Sequence, residues 1–290
     1  MGPLHDGFMT SSGGSGPRRT GRERAAEARR QQAARDRRRK QLVIGGVTVA
    51  VIALAVLIGV LVQNNKSTSN KNARNAYGAG QPFAAPSGVN PSPGTASDPG
   101  AIVYGKPDAK VTVEVDEDVR CPFCKEAETF FGATNKEYAD AGKIQVHYRL
   151  VDLIDRNGGG QGSLVGGATL ACAADVGQAE FIAYHDLIYK NQPDETNDAY
   201  GNVDTMLNLA SQVPGLRSAT FDECARSGKY AQWIKDNYTW LSKKLGGNVG
   251  TPDIYIDGTP FQLKDPTVVP GPQQTADYKA ALDAAVAKQG

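Results

Sequence analysis

Cysteine and histidine are scarce in this chain, four and three in 290 residues, and that scarcity excludes most metal modules. A structural zinc site wants four ligands at compatible spacing. Cys121-Pro122-Phe123-Cys124 supplies two thiols, but there is no second CxxC and no HxxxH, Cys172 and Cys224 stand far apart, and His147 and His185 are isolated. No metal and no cofactor are expected. There is no internal repeat. Charge and proline are both missing from Leu42 to Val62, a run of 21 residues, close to the roughly 20 that cross a bilayer as a helix. After it, Gln63-Asn64-Asn65-Lys66 offers no small-residue cleavage site, and no cysteine is present there to accept lipid. The run is apolar on all faces, which suits a membrane span better than a core helix. A transmembrane helix is therefore expected at 41–62.

Charge gives the orientation. Residues 1–40 carry 11 Lys and Arg against 4 Asp and Glu, while the chain beyond the apolar run carries 21 against 27. The positive-inside rule places the basic tail, disordered or partly helical, in the cytoplasm and the rest outside. The expected location is the cell membrane, single-pass, with an extracytoplasmic catalytic domain. Topology accounts for the arginines, so no nucleic acid partner is expected. From Gln63 to Gly100 the composition turns to Asn, Ser, Gly, Ala and Pro, with prolines at 82, 86, 91, 93 and 99. That stretch, 63–100, reads as a flexible linker spanning about 30 to 40 Å.

Residues 101–290 are left to form one domain. Strands are expected near Ile102 to Tyr104, at Val111 to Asp116 and at Ile144 to Leu150, where apolar and polar residues alternate. A helix is expected over Lys125 to Ala141. Between Gly162 and Leu245 the pattern is helical, with Ala168 to Ala174, Glu180 to Tyr189, Val203 to Gln212 and Tyr230 to Leu245 the clearest segments. Asp253 to Phe261 reads as a hairpin turning at Asp257-Gly258, and a last helix occupies roughly Thr275 to Lys288.

Cys121 thus falls where a strand hands over to a helix, with Pro122 suited to the first helical position. Free N–H groups and the positive end of the helix dipole favour a thiolate there, and the thiolate is the attacking species. Strand, dithiol helix, strand, helical block, hairpin and helix, in that order, resemble an α/β thioredoxin-like fold with a helical insertion at about 155–247. The chain resembles the DsbA-like disulfide oxidoreductases, in particular the membrane-anchored actinobacterial kind. The resemblance is carried by Gly105 to Val113, Asp118 to Cys124, and Gly250-Thr251-Pro252 before the hairpin, and it covers about residues 101–290. It implies a cis Thr251-Pro252 bond lying against the dithiol and offering backbone groups to an extended substrate. It also implies exported cysteine-containing proteins as substrates and a quinone-linked membrane re-oxidant of the vitamin K epoxide reductase homologue type.

The expected chemistry is attack by a substrate thiolate on Cys121, with Cys124 as the resolving residue. The best-known family pattern has His where this chain has Phe123. Phe supplies no charge, so the Cys121 pKa is expected to be lowered mainly by the helix terminus and the oxidant to be mild. Glu114, Asp116 and Glu117 are near enough in sequence to assist proton transfer, with solvated charge the default reading. Asp253 either tunes the site or faces water. Outside the cytoplasm Cys172 and Cys224 are expected to pair as a structural disulfide, a second redox pair or two free thiols being the alternatives. Tyr184 and Tyr189, and Trp233 and Trp240, are spaced for helices packing into a core, and His185 is expected on a helix surface or in the core rather than as a catalytic base. The expected function is that of an oxidase donating the Cys121–Cys124 disulfide to exported proteins, with a reductase or isomerase, or a non-catalytic binding or metal-delivery domain, as the alternatives.

Overall fold

The computed structural model describes residues 77–261, apart from 79 and 93, and residues 271–289. The tail expected at 1–40, the span expected at 41–62 and the first part of the linker lie outside the described residues. Among the described residues no helix is long and apolar enough to cross a membrane.

Six strands form one sheet: β1 (Val89–Asn90), β2 (Ala101–Gly105), β3 (Val111–Glu117), β4 (Ile144–Leu150), β5 (Asp253–Ile256) and β6 (Thr259–Pro260), in the order β1-β2-β4-β3-β5-β6. β3 and β4 run parallel, Val113 beside Val146, and every other pairing is antiparallel. A parallel pair needs a crossover. Here it is α1 (Pro122–Ala127), a π-helical turn (Glu128–Gly132) and α2 (Ala133–Asp140). The uninterrupted helix expected over 125–141 is therefore broken by one wide turn, which changes which side chains face inward. Phe131 packs against Tyr278 at 4.5 Å between ring centroids. A Cβ on Gly132 would come within 2.7 Å of Glu128 Oε2, so a larger residue there would displace that carboxylate.

Between β4 and β5 lie the helices of the insertion: α3 (Leu153–Gly158), α4 (Gly162–Ala174), α5 (Gln178–Lys190), α6 (Val203–Ala210), α7 (Ala219–Ser227) and α8 (Ala231–Lys244). α4 is built from small residues and is buried along almost its whole length, which makes it the axis of the block. Cys172 of α4 and Cys224 of α7 form a disulfide across 52 residues. The β5–β6 turn at Asp257 and Gly258 has φ of 48° and 72°, the left-handed pair that a two-residue hairpin loop requires. The chain ends with α9 (Pro272–Gln289), anchored by buried Tyr278 and Leu282.

The linker expected at 63–100 gives way to ordered structure from Tyr77 onward. Tyr77 is buried and its hydroxyl donates to the Ala225 carbonyl of α7. Lys235 of α8 donates to the carbonyls of Tyr77 and Gly78 at 3.0 and 3.1 Å, Ser87 bonds Asp175 through both N–H and hydroxyl, and Trp233 donates to the Pro99 carbonyl at 2.8 Å. Val89 and Asn90 add the edge strand. Composition misleads here because a few anchors suffice: prolines reduce the entropy lost on ordering, while Tyr77 and Val89 supply the apolar burial.

Tyr77→Ala is expected to lower the unfolding free energy by about 3 kcal/mol, as truncation of a buried aromatic does; an unchanged denaturation midpoint would return residues 77–100 to linker status. Replacing Cys172 and Cys224 together with alanine is expected to cost roughly 2 to 4 kcal/mol, read as a lower melting temperature, while thiol exchange at Cys121 continues.

Candidate active site

β3 ends at Glu117, and the four residues that follow turn the chain into α1. Polar groups hold this turn. The Asp118 carboxylate accepts from the N–H groups of Arg120 and Ile154, both at 2.8 Å. Arg120 is buried and pairs with Asp155 at 2.6 Å and Asp198 at 3.3 Å, and it donates to the carbonyls of Gly159 and Glu195. Gln192 donates to the carbonyls of Val119 and Cys121 at 2.8 and 3.0 Å. The helical insertion thus grips the approach to the dithiol at three points. Their partners lie 35 to 78 residues downstream, where no local pattern could reveal them.

Cys121 occupies the N-cap position with extended backbone, and Pro122 follows as the first helical residue. Both thiols are free. Both are also nearly enclosed, with 3% of Cys121 and 1% of Cys124 exposed. Their surroundings differ. The Cys121 sulfur is 3.2 Å from the Thr251 carbonyl. Cys124 Sγ accepts a long contact from the Asp118 N–H at 3.5 Å and packs with Tyr189. The Thr251-Pro252 bond is cis, so the loop meets the dithiol as the resemblance implies. Phe123 projects outward, 51% exposed, over an open cleft of about 490 Å³ that is completed by Leu245, Asn248 and residues 250–253. Cys121, Pro122, Phe123, Cys124, Thr251 and Pro252 therefore come together. Cys172 and Cys224 line a different hollow, between α4 and α7.

The two sulfurs titrate in opposite directions. The Cys124 thiol, hydrogen-bonding to Cys121, does most to lower the Cys121 pKa; burial opposes it, and Thr251 and the N–H groups of Cys124 and Phe123 add smaller help, for a value of about 7. Burial, then the neighbouring Cys121 and the charge of Glu117, hold Cys124 well above the usual thiol range. The expectation that the helix terminus dominates is corrected in this respect: the partner thiol comes first, because it is a donor in direct contact whereas the terminal N–H groups contribute less.

Solvated charge is the wrong reading for Asp116 and Glu117. Both are fully buried. Strict alternation fails at this end of β3, where Val115, Asp116 and Glu117 are all covered. Asp116 meets Arg149 at 3.2 Å, whose guanidinium lies 3.8 Å over the Trp240 ring, and burial pushes the Asp116 carboxyl up to about 7. Asp253 pairs with Asp116 across β3 and β5 and accepts from the Tyr255 hydroxyl at 2.7 Å. Tyr184, Tyr189 and Trp233 are core residues, and Trp240 is partly covered. Tyr189 is in addition the wall of the dithiol, a role its helical spacing concealed.

His185 is buried between two carboxylates, Glu117 at 2.8 Å from Nε2 and Glu128 at 4.0 Å from Nδ1. Donor atoms of Glu117, Glu128 and His185 all fall within 4.8 Å of one another. Nε2 is within hydrogen-bonding distance of Glu117, whereas Nδ1 has no hydrogen-bond partner among the described residues.

Residues 97–284 match a family model described as thioredoxin. The chain belongs to the thioredoxin family. Among solved structures, this thioredoxin-family chain is similar to MdbA, a thiol-disulfide oxidoreductase from Corynebacterium matruchotii (20% identity, TM-score 0.51, 74% of this chain and 98% of that one). It is similar also to oxidised BdbD from Bacillus subtilis (21%, 0.51, 71% and 99%) and to DsbA from Chlamydia trachomatis (18%, 0.50, 63% and 91%). At such identities the likeness is one of fold, a thioredoxin-like fold with a helical insertion. No curated protein matches.

If the Cys124 thiol is the main support of the Cys121 thiolate, Cys124→Ala raises the Cys121 pKa by about one unit or more, and Cys124→Ser, which keeps a donor, raises it less. Titration of thiolate absorbance measures both; a value that stays near 7 in Cys124→Ala would give the leading part back to the helix terminus.

Proposed function

We propose that this chain is an extracytoplasmic thiol-disulfide oxidoreductase that works mainly as an oxidase, passing the Cys121–Cys124 disulfide to exported cysteine-containing proteins. The observation that carries the reading is the asymmetry of the two thiols beside a cis proline. A sulfur with a pKa of about 7 leaves readily as thiolate, while its enclosed neighbour does not. In the oxidising direction a substrate thiolate attacks Cys121 Sγ, the Cys121–Cys124 bond breaks, and the electron pair goes to Cys124. A second substrate thiol then attacks the mixed disulfide, releasing Cys121 as thiolate and leaving the substrate oxidised. The cleft beneath Phe123 and the Thr251 carbonyl suit an extended peptide, apolar at one side and offering a backbone acceptor.

Location and recharging belong to the same reading. The apolar run at 41–62 would tether the domain to the cell membrane with the basic tail inside, and the Cys172–Cys224 disulfide suits an oxidising compartment. A membrane re-oxidant of the vitamin K epoxide reductase homologue type would restore the disulfide. One observation favours the opposite direction: pKa values of about 7 accompany reducing dithiols such as thioredoxin, and values of about 3.5 accompany strong oxidants. Reductase or isomerase is therefore the second reading.

The two are separated by trapping. Cys124→Ala in cells is expected to accumulate mixed disulfides at Cys121 with many exported proteins. Capture of one dedicated reductant protein instead would reverse the direction, and purified domain that retains Cu or Zn in stoichiometric amount while exchanging no thiols would remove the enzymatic reading.

A further inference from the structure

When the Cys121–Cys124 bond breaks, the electron pair lands on the sulfur least able to hold a charge. Cys124 is buried with Tyr189 beside it, and its one backbone donor stands at 3.5 Å. A thiolate there needs a proton, and the cleft is the place a substrate fills. The dithiol steps described so far supply none.

A proton holder lies behind it. His185 of α5 is fully buried, with Nε2 2.8 Å from Glu117 Oε1. Its Nδ1 is 4.0 Å from Glu128 Oε2 and 3.6 Å from Asp186 Oδ1, a side chain 55% exposed. The rings of Tyr148 and Tyr189 close the imidazole in at 4.5 and 5.0 Å, with Phe181 at 6.0 Å. Glu117 Oε2 and the Tyr189 hydroxyl have no hydrogen-bond partner among the described residues. Glu117 directly precedes Asp118, whose N–H stands 3.5 Å from Cys124 Sγ, and its charge bears on that thiol, as the charge of Glu128 bears on Tyr278. The π-helical turn and Gly132 exist at the place that brings Glu128 inward.

We propose that His185 lends a proton to Cys124 through Glu117 when the active-site disulfide is opened, and takes it back when the disulfide is remade. This rests on the dithiol–disulfide reading above. The substrate sulfur bonds to Cys121 Sγ, the Cys121–Cys124 bond breaks, and Cys124 receives the electron pair. The proton on His185 Nε2 passes to Glu117 and from Glu117 to Cys124 Sγ. His185 is left neutral with its Nδ1 proton facing Asp186 and Glu128. Re-oxidation reverses each move, so the imidazole resets without turning over in its pocket. The charge state fits: burial works against the His185 cation, but the facing charges, that of Glu117 first, outweigh it and hold the pKa well above the usual imidazole value; Glu128, which burial pushes up to about 8, is mostly protonated at neutral pH and adds less. The loaded state is thus an imidazolium ready to give. His185 acts through Glu117 and is a positioning and proton-storing residue, not one that touches the substrate.

The test is the single-turnover reduction of the oxidised full chain by a dithiol peptide, corrected for ionisation of the peptide thiol, between about pH 6 and 8. In the native chain the corrected rate is expected to vary little, because the proton comes from within. The buried carboxyls of Asp118, pushed up to about 7, and Glu128, pushed up to about 8, titrate in this range in native chain and variant alike, so the readout is the ratio of variant to native rate at each pH. His185→Gln keeps a polar contact to Glu117 but stores no proton; its rate is expected to fall by about a hundredfold, the low end of the cost of losing a general acid, with the deficit shrinking as pH falls and solvent supplies the proton. A merely structural role would lower the rate equally at every pH. Should His185→Gln fail to fold, ring-fluorinated histidine at 185, with His5 and His147 changed to Gln, keeps the shape but not the basicity and is expected to show the same pH-dependent loss. Unchanged rates, or a loss independent of pH, in whichever folded variant is measured overturns the proposal. Failure of the native chain to react with the peptide at all would instead remove the oxidoreductase reading.

Discussion

One inequality between two sulfurs governs the rest: Cys121 is held low largely by its neighbour Cys124, which burial keeps a thiol. Every other feature of the site protects that inequality. Cys121 is set at the mouth of α1, against the Thr251 carbonyl, where terminal N–H groups add to the effect. Cys124, one helical turn on, is enclosed by the insertion and by Tyr189. Had both sulfurs been equally exposed, neither would leave more readily than the other, and the pair would be a poor relay of electrons.

Holding the inequality requires a rigid turn between β3 and α1, and most of that rigidity comes from far away. Arg120 is fixed by Asp155 and Asp198, and Gln192 ties down two carbonyls. Buried ion pairs of this kind contribute little net stability. Their use here is positional: the strand hands the chain to the helix at one angle, and the cis proline loop from the other end of the sequence meets it there.

What the sequence made legible follows from how local each signal is. Alternation at Ile144 to Leu150 and the Asp257-Gly258 turn declare themselves within a few residues, and the strand and hairpin are where those signals put them. CPFC with a downstream Thr-Pro was enough to assemble the dithiol and its loop. Burial of Asp116, Glu117 and His185 was not legible, because a charged residue looks the same in sequence whether its partner is water or a carboxylate 68 positions away. The π-helical turn is invisible for a related reason, since its residues are ordinary helix formers and only the packing of Phe131 and Glu128 distinguishes it. Residues 77–100 were misread because low complexity was taken as a property of the whole stretch, when Tyr77 and Val89 decide it.

The Cys172–Cys224 bond has a consequence for how the protein comes into being. Each new copy is made with those two sulfurs reduced, so it begins life as a client of the same kind of chemistry it is proposed to perform.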